Sequence, residues 1–136
     1  GMQLTVDGRQ EVPLLIGSPA FAFTGDAEVQ ADCLGGETLD LNVMSRRGRF
    51  VHRMTNIVVS DAQTLSVTAE TVAVVFRDEA FVAIDSLRSD VGLGDVLVGL
   101  DRPLELAITP RGLGCMLYVI EVTAVSAETP DAEQVA

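Results

Sequence analysis

The chain predicts an all-β fold. Three observations carry that reading. Apolar and polar residues alternate with a period of two, the alternating runs are short, and Gly, Pro, Asp or Asn separates them at intervals of roughly eight to twelve residues. In Glu28-Val29-Gln30-Ala31-Asp32-Cys33 the alternation gives one wet and one dry face. No stretch sustains a 3.6-residue period over three turns, so no helix is expected.

In chain order, the first expected strand covers residues 3–6, and Asp7-Gly8 is the strongest short hairpin signal in the sequence, leading into a second strand at 11–15. Short apolar or alternating runs follow at 20–23 and 28–33, separated by the turn Gly25-Asp26. Gly35-Gly36 then leads into 38–44, where Leu39, Leu41 and Val43 share one face and Asp40 and Asn42 the other. A longer run spans 50–59, and further strands are expected at 64–68, 72–77, 80–84, 96–100, 103–109 and 115–123. Gly94-Asp95 and Pro110-Arg111-Gly112 supply turns between the later ones. From 126 to 136 the chain is small, polar and acidic with Pro130 in its middle, the composition of a frayed, disordered tail. Many short strands at this spacing make a sandwich or a barrel.

With 136 residues, 48% hydrophobic and 21% charged, the chain is long and apolar enough for one ordinary domain with a real core. The net charge of −11 argues against a nucleic-acid surface and against an anionic membrane surface, both of which need clustered positive charge. No apolar run approaches the about 20 residues that cross a bilayer. The first residues also lack the basic start and apolar stretch of a signal peptide. The expected compartment is the cytoplasm. All nine basic residues are arginine, and Arg46, Arg47, Arg49 and Arg53 fall within eight positions. Cys33 and Cys115 lie far apart without CxxC spacing and read as buried small hydrophobes rather than a disulfide.

Two parts of the chain echo one another. Phe23-Thr24-Gly25-Asp26, the strand at 29–33, Gly35-Gly36 and the strand through Leu41 match an order of turns and strands about 75 residues later. There Gly99-Leu100-Asp101 is followed by the strand at 104–108, Gly112-Leu113-Gly114 and the strand through Leu117. Two stacked copies of one β-unit explain such an echo.

Residues 23–47, FTGDAEVQADCLGGETLDLNVMSRR, carry a recognisable pattern: Phe-x-Gly-Asp, a strand, a Gly-rich turn, then Asp-Leu-Asn-x-Met-x-Arg-Arg. The stretch resembles the C-terminal portion of the HutD family, proteins encoded with the bacterial histidine-degradation enzymes. The opening MQLTVDGR and the closing GDVLVGLDRPLELAI are similar to other parts of the same family. The resemblance implies a cupin-like double-stranded β-helix or barrel, in a family that folds as two such units. Here it implies a partial first unit at 1–60 and a second at 61–125 packed with it as one domain. Family motifs that lie upstream are absent from this chain, which is expected to be a fragment, a mis-started product or a shortened branch. Uncovered strands would follow, and a homodimer is the natural remedy.

The candidate ligand-binding residues lie in that motif. Asp40 and Asn42 share a strand face, and if it lines the barrel they could read an amide or amine. Arg46 or Arg47 at the strand end could clamp a carboxylate. The alternative is a solvent-facing pair followed by a charged turn. Phe23 and Asp26 are weaker candidates: Phe23 reads equally as core, and Asp26 as a residue capping its own turn. His52 shares a face with Phe50, Met54 and Asn56. It is the chain's one histidine, too few for the histidine cluster of a metal-binding cupin. No nucleophile elbow and no dinucleotide fingerprint is present.

No metal, cofactor or catalytic set is therefore expected. The expected function is a metal-free, cupin-like binding or regulatory protein of the histidine-utilisation type, recognising a small carboxylate metabolite of histidine degradation. The alternatives are a dimeric assembly module without a small-molecule ligand and a metal-independent cupin isomerase.

Overall fold

The structure, a computed structural model, describes residues 1–126, so the expected tail lies almost wholly outside the described residues. Strands β1 (Met2–Val6) and β2 (Gln10–Leu14) form the hairpin that Asp7-Gly8 demands. Both turn residues have positive φ, 50° and 63°, and the Arg9 amide donates to the Val6 carbonyl at 3.1 Å, the arrangement of a type I′ turn. Strand β3 (Val29–Cys33) pairs with the other edge of β1, giving the sheet order β2-β1-β3. Asp7 ties this sheet together: its amide donates to the Glu28 carbonyl at 2.8 Å, and its Oδ1 accepts from the Glu28 amide at 3.0 Å. Alternation on β1 puts Leu4 and Val6 on the buried side.

The remaining strands are β4 (Phe50–Val59), β5 (Gln63–Val67), β6 (Thr71–Phe76), β7 (Ala80–Ile84), β8 (Leu87–Val91), β9 (Val96–Leu100), β10 (Leu104–Pro110) and β11 (Cys115–Ala124). They form two four-stranded antiparallel sheets with orders β5-β10-β7-β8 and β4-β11-β6-β9. Counted from β4, the first, eighth, third and sixth strands share one sheet, and the second, seventh, fourth and fifth share the other. That interleaving is the eight-stranded jelly roll, the cupin-like barrel. The chain thus holds one complete unit and part of another. Strand β4, placed with the first unit by its position in sequence, is laddered over its full length to β11 and completes the jelly roll.

The core fills the space between these two sheets. Val72, Val74 and Phe76 from β6, Leu104, Leu106 and Ile108 from β10, and Cys115, Leu117 and Val119 from β11 are all buried at alternate positions. Each large side chain buried this way contributes roughly 1.5–3 kcal/mol.

Three expectations need correction. No strand forms at 20–23 or at 38–44; both runs are without ladder partners. Conversely, β8 was not expected. Its sequence LRSDV has no clean alternation because it is an exposed edge strand, and its turn from β7, Asp85-Ser86, contains no glycine. Asp85 itself takes the positive φ, 48°. Cys33, expected to be buried, is exposed; Cys115 is buried.

Candidate functional site

In the complete unit the space between the sheets, where a barrel could hold a ligand, is occupied by side chains. Among the described residues no polar or charged residue is fully buried, and the barrel interior is apolar throughout. Within this unit, room for a ligand is therefore confined to the outer faces and to the segments that cross them.

Because 38–44 is not a strand, Asp40 and Asn42 do not present a polar face to a barrel interior; both are exposed. Arg47 and Asp26, distant in sequence, do come together: the guanidinium donates to Asp26 Oδ2 at 2.5 Å, with 71% and 75% of the two side chains exposed. This pair pins the 25–26 turn to the 46–49 turn. Phe23 is not part of the core; it is half-exposed and stacks on Phe21 with ring centroids 6.1 Å apart. The structure brings Asp26 and Arg47 together and leaves Phe23, Asp40 and Asn42 apart from them.

The arginine-rich turn is built by local hydrogen bonds. The Arg46 carbonyl accepts from the amides of Arg49 and Phe50, both at 3.1 Å, and Gly48 takes φ 72°. Immediately before it, Ser45 Oγ lies 2.8 Å from His52 Nδ1 and 3.4 Å from the Phe50 carbonyl. A groove of roughly 270 Å³ opens beside this corner, lined by Val51, His52, Arg53, Glu121 and Thr123. Arg53 is held there by Glu121, its cross-strand partner on β11. Arg47, Arg53, Arg77, Arg102 and Arg111 all pair with carboxylates. Arg46 and Arg49 have no carboxylate partner among the described residues, although acids outnumber arginines 20 to nine. No three metal-ligating side chains gather among the described residues.

A larger groove, roughly 440 Å³, lies on the outer face of β4 and β11. Met54, Asn56 and Val58 project from β4 on the side opposite Ile57 and Val59, and Met116 projects from β11 beside Val58. The segment Gly17, Pro19 and Ala20 forms its wall. A Cβ on Gly17 (φ 83°) would sit 3.7 Å from Met116 Cε, which shows how closely the segment approaches the sheet. Asn56 Oδ1 is buried here without a hydrogen-bond partner, an arrangement that costs about 1–3 kcal/mol. Sequence reasoning placed Asn56 on the face of His52 and Met54 but did not single it out. The available signal was an asparagine, disfavoured in strands, between the apolar Met54 and Val58 of the same face.

One titratable group departs clearly from its ordinary behaviour. Burial pushes the Cys115 thiol above its usual 9.0, and the nearby Asp78 carboxylate pushes in the same direction. Asp78 is fixed there because its Oδ2 accepts from the Met116 amide at 2.9 Å. A neutral thiol behind this carboxylate is not a nucleophile.

The HutD family model matches residues 1–113. The chain belongs to the HutD family. Among solved structures it is similar to HutD from Pseudomonas fluorescens SBW25, with a TM-score of 0.61 and 28% identity over 92% of this chain and 63% of that one. It is also similar to a conserved protein of unknown function from Pseudomonas aeruginosa PAO1, with a TM-score of 0.70 and 21% identity over 92% of this chain and 67% of that one. The HutD-family chain described here therefore spans about two thirds of the length of these two structures. No curated protein matches it. Among its described residues no helix is long and apolar enough to cross a membrane.

Proposed function

We propose that this HutD-family chain is a binding or regulatory protein that recognises a small carboxylate-bearing metabolite, of the kind histidine degradation produces, without a metal. The observation that carries the reading is the turn 45–53. In a chain of net charge −11, Arg46 and Arg49 have no carboxylate partner among the described residues, in the turn that leads into the His52 strand. Two guanidinium groups supply the fork geometry that holds a carboxylate. The apolar barrel interior and the inert Cys115 favour binding over catalysis. Arg47, engaged by Asp26, shapes the turn, while Asp40 and Asn42 on the exposed approach to it remain the candidates for an amine or amide of the ligand.

Thermal-shift and calorimetric titration with formylglutamate and urocanate, in the presence of a chelator, tests the proposal. Saturable binding that falls at least about tenfold in Arg46→Ala or Arg49→Ala is expected, since charged hydrogen bonds are worth about 1.5–3 kcal/mol. No response from well-folded wild type to either acid would overturn it.

A second reading, a homodimeric assembly module, is favoured by β9. This strand is one of the two edges of its sheet, and Val96, Val98 and Leu100 on its outer face are all more than half exposed. A strict monomer by light scattering at high concentration removes this reading.

A further inference from the structure

The internal echo of the sequence becomes a repeat of topology in the fold. Hairpin β1–β2 matches hairpin β7–β8, and each turns on an aspartate of positive φ, Asp7 at 50° and Asp85 at 48°. Strand β3 flanks β1 as β10 flanks β7, so the order β2-β1-β3 repeats as β8-β7-β10. In the same register the run 20–23 stands for β9 and the run 38–44 for β11. Leu39, Leu41 and Val43 then take the places of the buried Cys115, Leu117 and Val119. Among the described residues nothing stands for β6 in this repeat. In the complete unit β6 lies between β11 and β9, antiparallel to both, and its Val72, Val74 and Phe76 are fully buried.

The absence of that one strand from the repeat accounts for three separate observations. The runs 20–23 and 38–44 have no ladder because the strand between their counterparts is the one they would share. Leu39 is 84% exposed, and Cys33 is exposed where its counterpart Ile108 is buried, because no opposing core residues cover them. Arg47 reaches Asp26 directly, whereas Asp101, the counterpart of Asp26, donates its amide to the Glu70 carbonyl at the start of β6. The ion pair thus spans the place that the start of β6 takes in the complete unit.

We propose that the runs 20–23 and 38–44 form a strand-acceptor site. Its occupant is an extended polypeptide segment with large apolar residues at alternate positions, laid antiparallel to both runs as β6 is to β9 and β11. Main-chain hydrogen bonds to the two runs supply affinity, and the alternate side chains that meet Leu39, Leu41 and Val43 supply selectivity. A charge at one of those inward positions would be buried without a partner.

The strand that takes this position in the complete unit supplies the probe, a synthetic peptide with the sequence of residues 69–78, AETVAVVFRD. Amide hydrogen exchange of the full chain is followed as the peptide is added. Saturable protection of 20–23 and 38–44 is expected. A peptide with aspartate at the places of Val72 and Val74 should bind at least about tenfold more weakly. Leu41→Asp, at an exposed position outside every strand, should abolish the protection without lowering the unfolding temperature. No saturable protection of the two runs, protection confined to the β9 edge, or equal binding of the two peptides would overturn the proposal. So would protection of both runs without peptide that grows with protein concentration, since the occupant would then be a second copy of this chain.

Discussion

Cys33 and Cys115 show how far residue type falls short of residue environment. The same side chain ends β3 in solvent and opens β11 in the core. Thiolate, not thiol, reacts with disulfide reagents, and burial with the Asp78 charge holds Cys115 in the thiol form. A colorimetric thiol assay at neutral pH should therefore count one fast thiol in the native protein and two in denaturant; two fast thiols would contradict the burial. Linkage gives a second consequence. The folded thiol ionises at higher pH than the unfolded one, so the stabilisation is complete below the unfolded value near 9.0 and declines as pH rises past it. Cys115→Ala removes this term, and the fall in stability above that pH in denaturant titrations should become shallower. The Arg47–Asp26 pair differs in being largely exposed. Exposed pairs contribute about 0–1 kcal/mol, so Asp26→Asn should shift the denaturation midpoint only slightly while loosening the 25–26 turn from the 46–49 turn.

At the scale of elements, the sequence made most of the fold legible because a period of two with glycine punctuation is a local property. Strand partners are not. The run 38–44 alternates as well as β11 does and occupies the matching place in the internal echo. Yet β11 is laddered by β4 on one side and β6 on the other, whereas 38–44 has no partner strand among the described residues. The placement of Asp40 and Asn42 inside a barrel failed with that strand. The Asp26–Arg47 contact was beyond reading because it depends on how two turns meet, and Asn56 was passed over because the groove it lines is walled by a segment nearly forty residues away in sequence. β9 illustrates the converse, a local residue choice set by packing. Gly99 pairs with Val72, and a Cβ there would lie 3.0 Å from Val72 Cγ1. Gly99→Val should destabilise the protein by about 1–3 kcal/mol through overpacking. Val72→Ala in the same chain should recover part of that loss in chemical denaturation, and strict additivity of the two changes would refute a direct contact.

For the whole molecule, an apolar edge and a large charge of one sign act in opposite directions. On the outer face of β4-β11-β6-β9, Val98 of β9 sits beside Ala73 of β6, and Val96 beside Val75. The stripe ends at an edge whose backbone groups have no partner strand, a template for adding another. Nothing charged interrupts β9, though Asp95 and Asp101 flank it. Two copies meeting at this edge would bring together two net charges of −11, a repulsion felt across a Debye length of about 30 Å at 0.01 M salt but about 3 Å at 1 M. If β9 is an association edge, light scattering should show self-association strengthening as salt rises, the reverse of an interface held by ion pairs. Val98→Lys places a charge in the middle of the stripe while leaving the inward-facing Leu97 and Gly99 untouched, so it should abolish association at high salt without lowering the unfolding temperature appreciably. Association that weakens with salt, or that survives Val98→Lys in a folded protein, would place the contact elsewhere on the molecule.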